Sequence, residues 1–250
     1  TFTFKVNDGT QSSASAYVMT TSFANENDAP VVANAQANQA VNEDAALGGS
    51  GYQFNSNVFS DADSGDSCTY TSTQVSGSAL PSWLTFTASS RTYSGTPLNA
   101  NVGTLSVRTT CTDGSSAAVN DDFDIVISNT NDVPTSTSFT VTTLEDTEHV
   151  FTANEFGYAD VDSGDALVSA VLQAATAGTL WIDDGGGGGT ADDGVVNGNE
   201  AAVANDDVAT AAELAKLTWD PAANANGAAY ATFAYTLFDG DGYSSSYTAT

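Results

Sequence analysis

The chain has 250 residues and carries 31 acids against four bases, Lys5, Arg91, Arg108 and Lys216, for a formal net charge of −27. That balance excludes the basic patches with which proteins hold nucleic acid or anionic membranes, and it calls for carboxylates that are dispersed in solvent or paired with a cation such as Ca²⁺. With 41% apolar and 10% aromatic residues the chain has the material for a core, which an acidic disordered chain lacks, and no run approaches the roughly 20 apolar residues of a membrane span.

From the start, Phe2, Phe4 and Val6 alternate with polar residues and run into an Asp-Gly turn at Asp8, the pattern of a half-buried strand entering a hairpin. No initiator Met and no basic-then-apolar leader precedes them, so the chain reads as an internal piece of a longer polypeptide. There follow NENDAP (Asn25–Pro30), the pair Glu43–Asp44, and DADSGD (Asp61–Asp66), with three acids in six residues. A second alternating run, Leu105, Val107, Thr109 and Cys111, ends at the Asp-Gly turn of Asp113, and Phe123, Ile125 and Ile127 lead into NTNDVP (Asn129–Pro134).

The marks then return in the same order. Asp132 lies 104 residues beyond Asp28, Glu145 lies 102 beyond Glu43, and DVDSGD (Asp160–Asp165) starts 99 beyond Asp61. Phe233, Tyr235 and Leu237 run into a further Asp-Gly turn at Asp239. Four marks in one order at similar spacing predict a tandem array. Short strands with turn signals about every 8–12 residues predict an all-β fold of antiparallel sandwiches. The segment Asp207–Leu217, with Thr210 and Glu213 at capping-box spacing, predicts a short helix.

These residues carry a resemblance. Each repeat resembles a cadherin-like domain of the kind strung together in giant bacterial surface adhesins. The middle repeat resembles the dystroglycan-type subclass through LPSWLTF (Leu80–Phe86), RTYSGTP (Arg91–Pro97), NANVGTLSV (Asn99–Val107) and the TDG turn. The last resembles another bacterial cadherin-like repeat through GTLW (Gly178–Trp181), AAELAKLTWDPAANANG (Ala211–Gly227) and TFAYTLFDGDG (Thr232–Gly242). The opening TFTFKVNDG aligns with TFAYTLFDG at an offset of 231. The resemblance implies tandem Greek-key β-sandwiches (cadherin/Ig-like) arranged end to end. Residues 1–29 would be the C-terminal strands of a preceding domain, 30–134 a complete domain and 135–250 a second. Residues 1–29 should then show apolar surface that their missing strands would cover.

The resemblance also implies Ca²⁺ at the junctions between repeats. Carried over by position, the first junction would use Asn25, Asn27, Asp28, Asp61, Asp63 and Asp113. The second would use Asn129, Asn131 and Asp132 from the linker, Asp160 and Asp162 from the D-x-D pair, Asp239 from the final hairpin, and Glu43 as the upstream ligand. Asn25 and Asn129 stand where the family's linker has Asp, Ala29 and Val133 where it has Asn, and the middle repeat lacks an Asp-Arg-Glu motif. These departures imply fewer or weaker ions. A separate acidic stretch, Asp183–Glu200, is read as a hairpin tip or as a local Ca²⁺ loop using Asp192, Asp193, Asn197 and Glu200.

The expected role is a calcium-rigidified extracellular, cell-surface segment of a long adhesin or fibre, whose partners are the neighbouring repeats and a cell-surface or polysaccharide ligand. The alternatives are a building block of a self-assembling filament or surface layer, and a carbohydrate-binding module marked by Trp83, Trp181 or Trp219. An enzyme is not expected, because the acids recur with the repeats, a triad would have to use the single histidine, His149, and no G-x-S-x-G surrounds any serine. In a sandwich of this kind the third and sixth strands are antiparallel neighbours, so Cys68 and Cys111 are expected to form a disulfide, in the places that Leu167 and Leu237 hold in the last repeat. The other reading is two buried free thiols.

Overall fold

Period-two alternation and Asp-Gly turns produce antiparallel hairpins throughout the computed structural model, which describes residues 1–63, 65–182 and 202–250. The residues Asp192, Asp193, Asn197 and Glu200 lie outside the described residues. The chain divides into two units, Thr1–Ser128 and Asn129–Thr250.

In the first unit, β1 (Phe2–Phe4) and β2 (Tyr17–Met19) form a separate two-stranded hairpin. Then come β3 (Val31–Val32), β4 (Gln39–Asn42), β5 (Tyr52–Gln53), β6 (Phe59–Ser60), β7 (Thr69–Gln74), β8 (Thr85–Thr87), β9 (Thr92–Ser94), β10 (Gly103–Thr112) and β11 (Ala118–Ser128). One sheet has the order β4-β11-β10-β7, with β4 parallel to β11 and the other pairs antiparallel. The opposite layer is β5-β9-β8 together with β3-β6. The short strands β3 and β4 therefore lie in different layers, as do the successive strands β6 and β7, which makes this a Greek-key sandwich.

Both layers feed one core. Val107, Cys111, Phe123, Ile125 and Ile127 from the first sheet pack in the same cluster as Phe54, Phe59, Leu84 and Tyr93 from the second. Each such side chain contributes about 1.5–3 kcal/mol by burial. Trp83 and Phe86 of the LPSWLTF motif pack against this cluster. The motif SGTP serves it too: Gly95 has φ +152°, and a Cβ there would lie 1.8 Å from the Trp83 carbonyl oxygen, so only glycine fits. Ser72 and Gln36 are hydrogen-bonded through Tyr93 and Thr109. The Tyr93 hydroxyl donates to Ser72 Oγ at 2.8 Å and lies 2.7 Å from Thr109 Oγ1, which also accepts from Gln36 Nε2 at 2.8 Å.

The second unit repeats the plan with β12 (His149–Val150), β13 (Ser169–Leu172), β14 (Thr179–Ile182), β15 (Asp207–Thr210), α1 (Ala211–Leu214), β16 (Leu217–Asp220), β17 (Phe233–Phe238) and β18 (Tyr247–Ala249). Its layers are β12-β16-β14 and β15-β13-β17-β18. Phe151, Leu180 and Leu217 of one layer meet Leu172, Tyr235 and Leu237 of the other in a single core.

The helix expected over Asp207–Leu217 is corrected to four residues. Thr210 and Glu213 do form the capping box, with Thr210 Oγ1 accepting from Glu213 N and Glu213 Oε2 accepting from Thr210 N. However, Asp207–Thr210 before it is a strand paired with β13 from Ser169 to Leu172. Cross-strand pairing on an edge outweighs the helical preference of an isolated segment. The other expectation drawn from the strand neighbours is met: Cys68 and Cys111 form a disulfide, with Cα atoms 5.1 Å apart, and Cys111 on β10 faces Tyr70 of β7, two residues past Cys68. In the second unit Leu167 and Leu237 both join the apolar core.

Candidate cation-binding poles

Three loops build an acidic pole in each unit, and the two poles are assembled in the same way. In the first unit, the hairpin turn after β10 holds Asp113, whose Oδ1 accepts the backbone N–H groups of Ser115 and Ala117 at 2.9 and 2.8 Å. Its Oδ2 accepts from Asn27 Nδ2 at 3.1 Å. In the loop between β6 and β7, Asp61 Oδ1 accepts from Asp63 N at 2.8 Å. Asp63 in turn accepts from Asp28 N at 2.7 Å and from Asn25 Nδ2 at 2.5 Å. The segment Asn25–Asp28 is thus tied to both loops.

In the second unit Asp239 Oδ1 accepts the N–H groups of Asp241 and Gly242 at 2.7 and 2.6 Å, and Oδ2 faces Asn131 Nδ2 at 3.5 Å. Asp160 Oδ1 accepts from Asp162 N at 2.8 Å, and Asp162 Oδ2 accepts from Asp132 N at 2.6 Å. Asn129 opens this unit. Glu43 stands just past β4, its N–H donating to Ser128 O at 3.0 Å, with Asp44 after it at φ +57°. The pair Glu145–Asp146 repeats that turn, with Asp146 at φ +56°.

Two carboxylates were not among the expected ligands, yet the fold brings them in. Carboxylate oxygens of Asp61, Asp63 and Asp66 lie within 4.8 Å of one another, and so do those of Asp160, Asp165 and Asp239. Asp66 and Asp165 are the last acids of the two hexapeptides, and their presence in each copy of the hexapeptide was the available signal. Oxygens that share one Ca²⁺ at about 2.4 Å can be at most about 4.8 Å apart, so both sets fit a single ion.

The electrostatics agree with a site short of positive charge. Burial, then the charges of Asp162, Asp160, Asp239 and Asp241, push the Asp165 carboxyl above its ordinary value. Burial and the charges of Asp160, Asp239 and Asp165 push the Tyr158 phenol up to about 12. Against this, burial opposes ionisation of Asp239, but the N–H groups of Gly242 and Asp241 and the Asn131 amide hold it below the usual range. Asp113 behaves likewise: burial opposes its charge, and the Asn27 amide with the N–H groups of Ala117, Ser115 and Ser116 outweighs it. The turn carboxylates are held ionised while a neighbour is penalised for it.

Residues 29–128 match the family described as "Putative Ig domain". That match spans β3 to β11, the whole of the first sandwich. No curated protein matches the chain. Solved structures similar to it include human CDH23 EC21–23, at 14% identity and TM-score 0.48, covering 99% of this chain and 72% of that one. Mouse protocadherin-24 EC1–3 is similar at 10% identity and TM-score 0.47, over 99% and 77% of the two chains. An endo-fucoidan hydrolase of glycoside hydrolase family 107 is similar at 18% identity and TM-score 0.35, over 99% of this chain and 33% of its own. The chain spans about a third of that hydrolase's length.

His149, the single histidine, places Nε2 3.1 Å from Glu155 Oε1 and sets its ring edge-on to Phe151 at 4.7 Å. Those contacts fix it in the wall of the core. The second unit also has a cleft of about 420 Å³ whose lining includes Leu144, Phe151, Trp219, Tyr230 and Phe233. Trp219 donates its indole N–H to Ala177 O at 3.0 Å and packs against the core.

Proposed function

We propose that this chain is a calcium-stiffened repeat segment of an extracellular, cell-surface protein of the cadherin-like kind, acting as a spacer or adhesion module rather than as an enzyme. The observation that supports this reading is the twofold recurrence of one pole: a turn aspartate, an acidic triplet and a linker Asn-Asp pair joined by corresponding hydrogen bonds. A catalytic centre needs one copy, whereas a joint needs one per repeat.

At the first pole Asp61, Asp63 and Asp66 would hold Ca²⁺, and at the second Asp160, Asp165 and Asp239, with Asp113 and Asp162 in support. Glu43 is proposed, from the resemblance alone, as a further ligand. An ion there would supply the charge that the clustered carboxylates lack and would lock each linker segment to the pole it already touches. That is a stiffening role, and it suits the proposed domains 30–134 and 135–250 as links of a long array, whether adhesin, filament or surface layer.

Calcium binding to the native state alone raises stability by mass action, by about 2.7 kcal/mol at a hundredfold excess over Kd. Thermal unfolding in Ca²⁺ should therefore show higher midpoints than in chelator, and midpoints that do not move would overturn the reading. Asp160→Ala with Asp162→Ala should remove Ca²⁺ binding from the second unit, seen as a drop in stoichiometry by titration calorimetry. The first unit's binding should persist.

A further inference from the structure

The disulfide joins the two loops of the first pole at their roots. Cys68 lies two residues past Asp66 and Cys111 two before Asp113, so one bond links both acid-bearing loops. The β7–β10 ladder ends at Thr69 opposite Thr112, which leaves Cys68 just outside it. From the bridge the contacts run on through the pole. Asp113 Oδ2 accepts from Asn27 Nδ2, which also donates to Asp28 O at 3.1 Å, and Asp28 N donates to Asp63 Oδ2.

The second unit closes the same corner without a covalent bond. Leu167 and Leu237 hold the two places there, and both join the core. Val168 N donates to Phe238 O at 2.8 Å, and Val168 O accepts from Ala211 N at 2.9 Å. The strand β15 then covers the outer edge of β13 from Ser169 to Leu172. In the first unit β7 is the edge of its sheet, and among the described residues no strand pairs with its outer side. What a leucine pair and β15 supply in one unit, the disulfide supplies in the other. The load on that corner is electrostatic, because carboxylate oxygens of Asp61, Asp63 and Asp66 lie within 4.8 Å of one another.

We infer that the Cys68–Cys111 disulfide is a redox-sensitive clamp: a dithiol reductant that opens it frees the acidic loop before β7 and weakens cation binding at the first pole alone. The cation half rests on the calcium reading above, whereas the clamp rests on the strand geometry. The chemistry is thiol–disulfide exchange. A thiolate of the reductant attacks the sulfur of Cys68, which is half-buried where Cys111 is fully buried. The S–S bond breaks, Cys111 leaves as a thiolate that takes up a proton, and a mixed disulfide forms at Cys68. The reductant's second thiol displaces Cys68, so the reductant ends as a disulfide and the protein gains two electrons and two protons as two thiols. Cys111 then stays in the core as a small apolar group. With β10 still paired to β11 from Gly103 to Thr112, the sandwich survives the opening.

Amide exchange on the 250-residue chain with and without dithiothreitol, both in chelator, reads the clamp. Reduction should speed exchange about tenfold at Asp63, Asp66, Ser115 and Ala117, whose N–H groups are bonded within the pole. Phe123 and Ile125 should keep their protection, and so should Asp162, Asp241 and Gly242 in the second unit, which has no cysteine. Calcium titration of both forms, followed by NMR at the same amides, should show Kd raised about tenfold at the first pole and unchanged at the second. By linkage, Ca²⁺ should make the bridge harder to reduce by the same factor, counted as thiols at a fixed ratio of reduced to oxidised dithiothreitol. Cys68→Ala with Cys111→Ala should behave as the reduced chain does and ignore the reductant. Pole amides that exchange alike in both forms overturn the inference. So does a first unit that loses protection at Phe123 and Ile125 on reduction, because the bond would then hold the whole sandwich rather than its pole. Equal calcium affinity in the two forms overturns it as well. An oxidised chain that binds no Ca²⁺ overturns the calcium reading instead, and the exchange in chelator still decides the clamp.

Discussion

Asp8, Asp113 and Asp239 each use one carboxylate oxygen to gather the N–H groups of the turn that follows, and in Asp113 and Asp239 the second oxygen faces a linker asparagine. A carboxylate that accepts two backbone N–H groups is favoured in its charged form. At Asp8 the bonds from Gln11 and Thr10 lower the pKa from 3.8 to about 2. The sign follows from the depression: the turn's stabilisation is fully present above the unfolded value and is lost as pH falls through about 2. An NMR titration of the Asp8 carboxyl carbon should show a midpoint near 2. A midpoint at the ordinary aspartate value would mean that the turn does not hold in solution.

At the scale of the element, β10 carries most of the first unit. It pairs with β11 along ten residues and with β7 along six, and Val107, Thr109 and Cys111 all point into the core at 0% exposure. The disulfide ties its end to the entrance of β7 across 43 residues. Closing a loop of that length restricts the unfolded chain and stabilises by about 2–4 kcal/mol. Replacing both cysteines by alanine should lower the first unit's stability by about that amount in denaturant unfolding, with the second unit unaffected. The unreduced, denatured native chain should show no free thiol, and two thiols per chain would contradict the bridge. The helix expected over Asp207–Leu217 shows the opposite balance. Its cap forms as the sequence indicates, but the residues before the cap find a better partner in β13.

For the whole molecule the dominant fact is a net charge of −27. Arg108 is engaged with Asp122 at 2.7 Å on the sheet surface, where solvent screens the pair and it adds little stability. Most carboxylates must therefore be screened by solvent ions. The Debye length falls from about 30 Å at 0.01 M to about 3 Å at 1 M salt. In chelator, raising NaCl over that range should raise the unfolding midpoints of both units. With Ca²⁺ bound the gain should be smaller, because the densest clusters are already neutralised. Equal salt dependence in both conditions would show that the poles are not where the repulsion resides.

The repeated marks in the sequence were enough to indicate an all-β fold of antiparallel sandwiches, because period-two alternation and Asp-Gly turns act locally and the repeat spacing sets the size of the unit, whereas the Greek-key order was implied by the family resemblance. They also exposed the hairpin identity of Phe2–Val6 and the cysteine pair, since both depend on position within a repeat. The tertiary structure alone decided which carboxylates converge. Asp66 and Asp165 reach their neighbours through loop closures fixed by distant partners, the linker N–H groups of Asp28 and Asp132 bonding to Asp63 and Asp162. It also decided that Asp207–Thr210 is a strand, because the hydrogen bonds that hold it come from residues about forty positions earlier. Local pattern specifies an element only while its partners are local; where a long-range edge or pole competes, the partner distant in sequence decides.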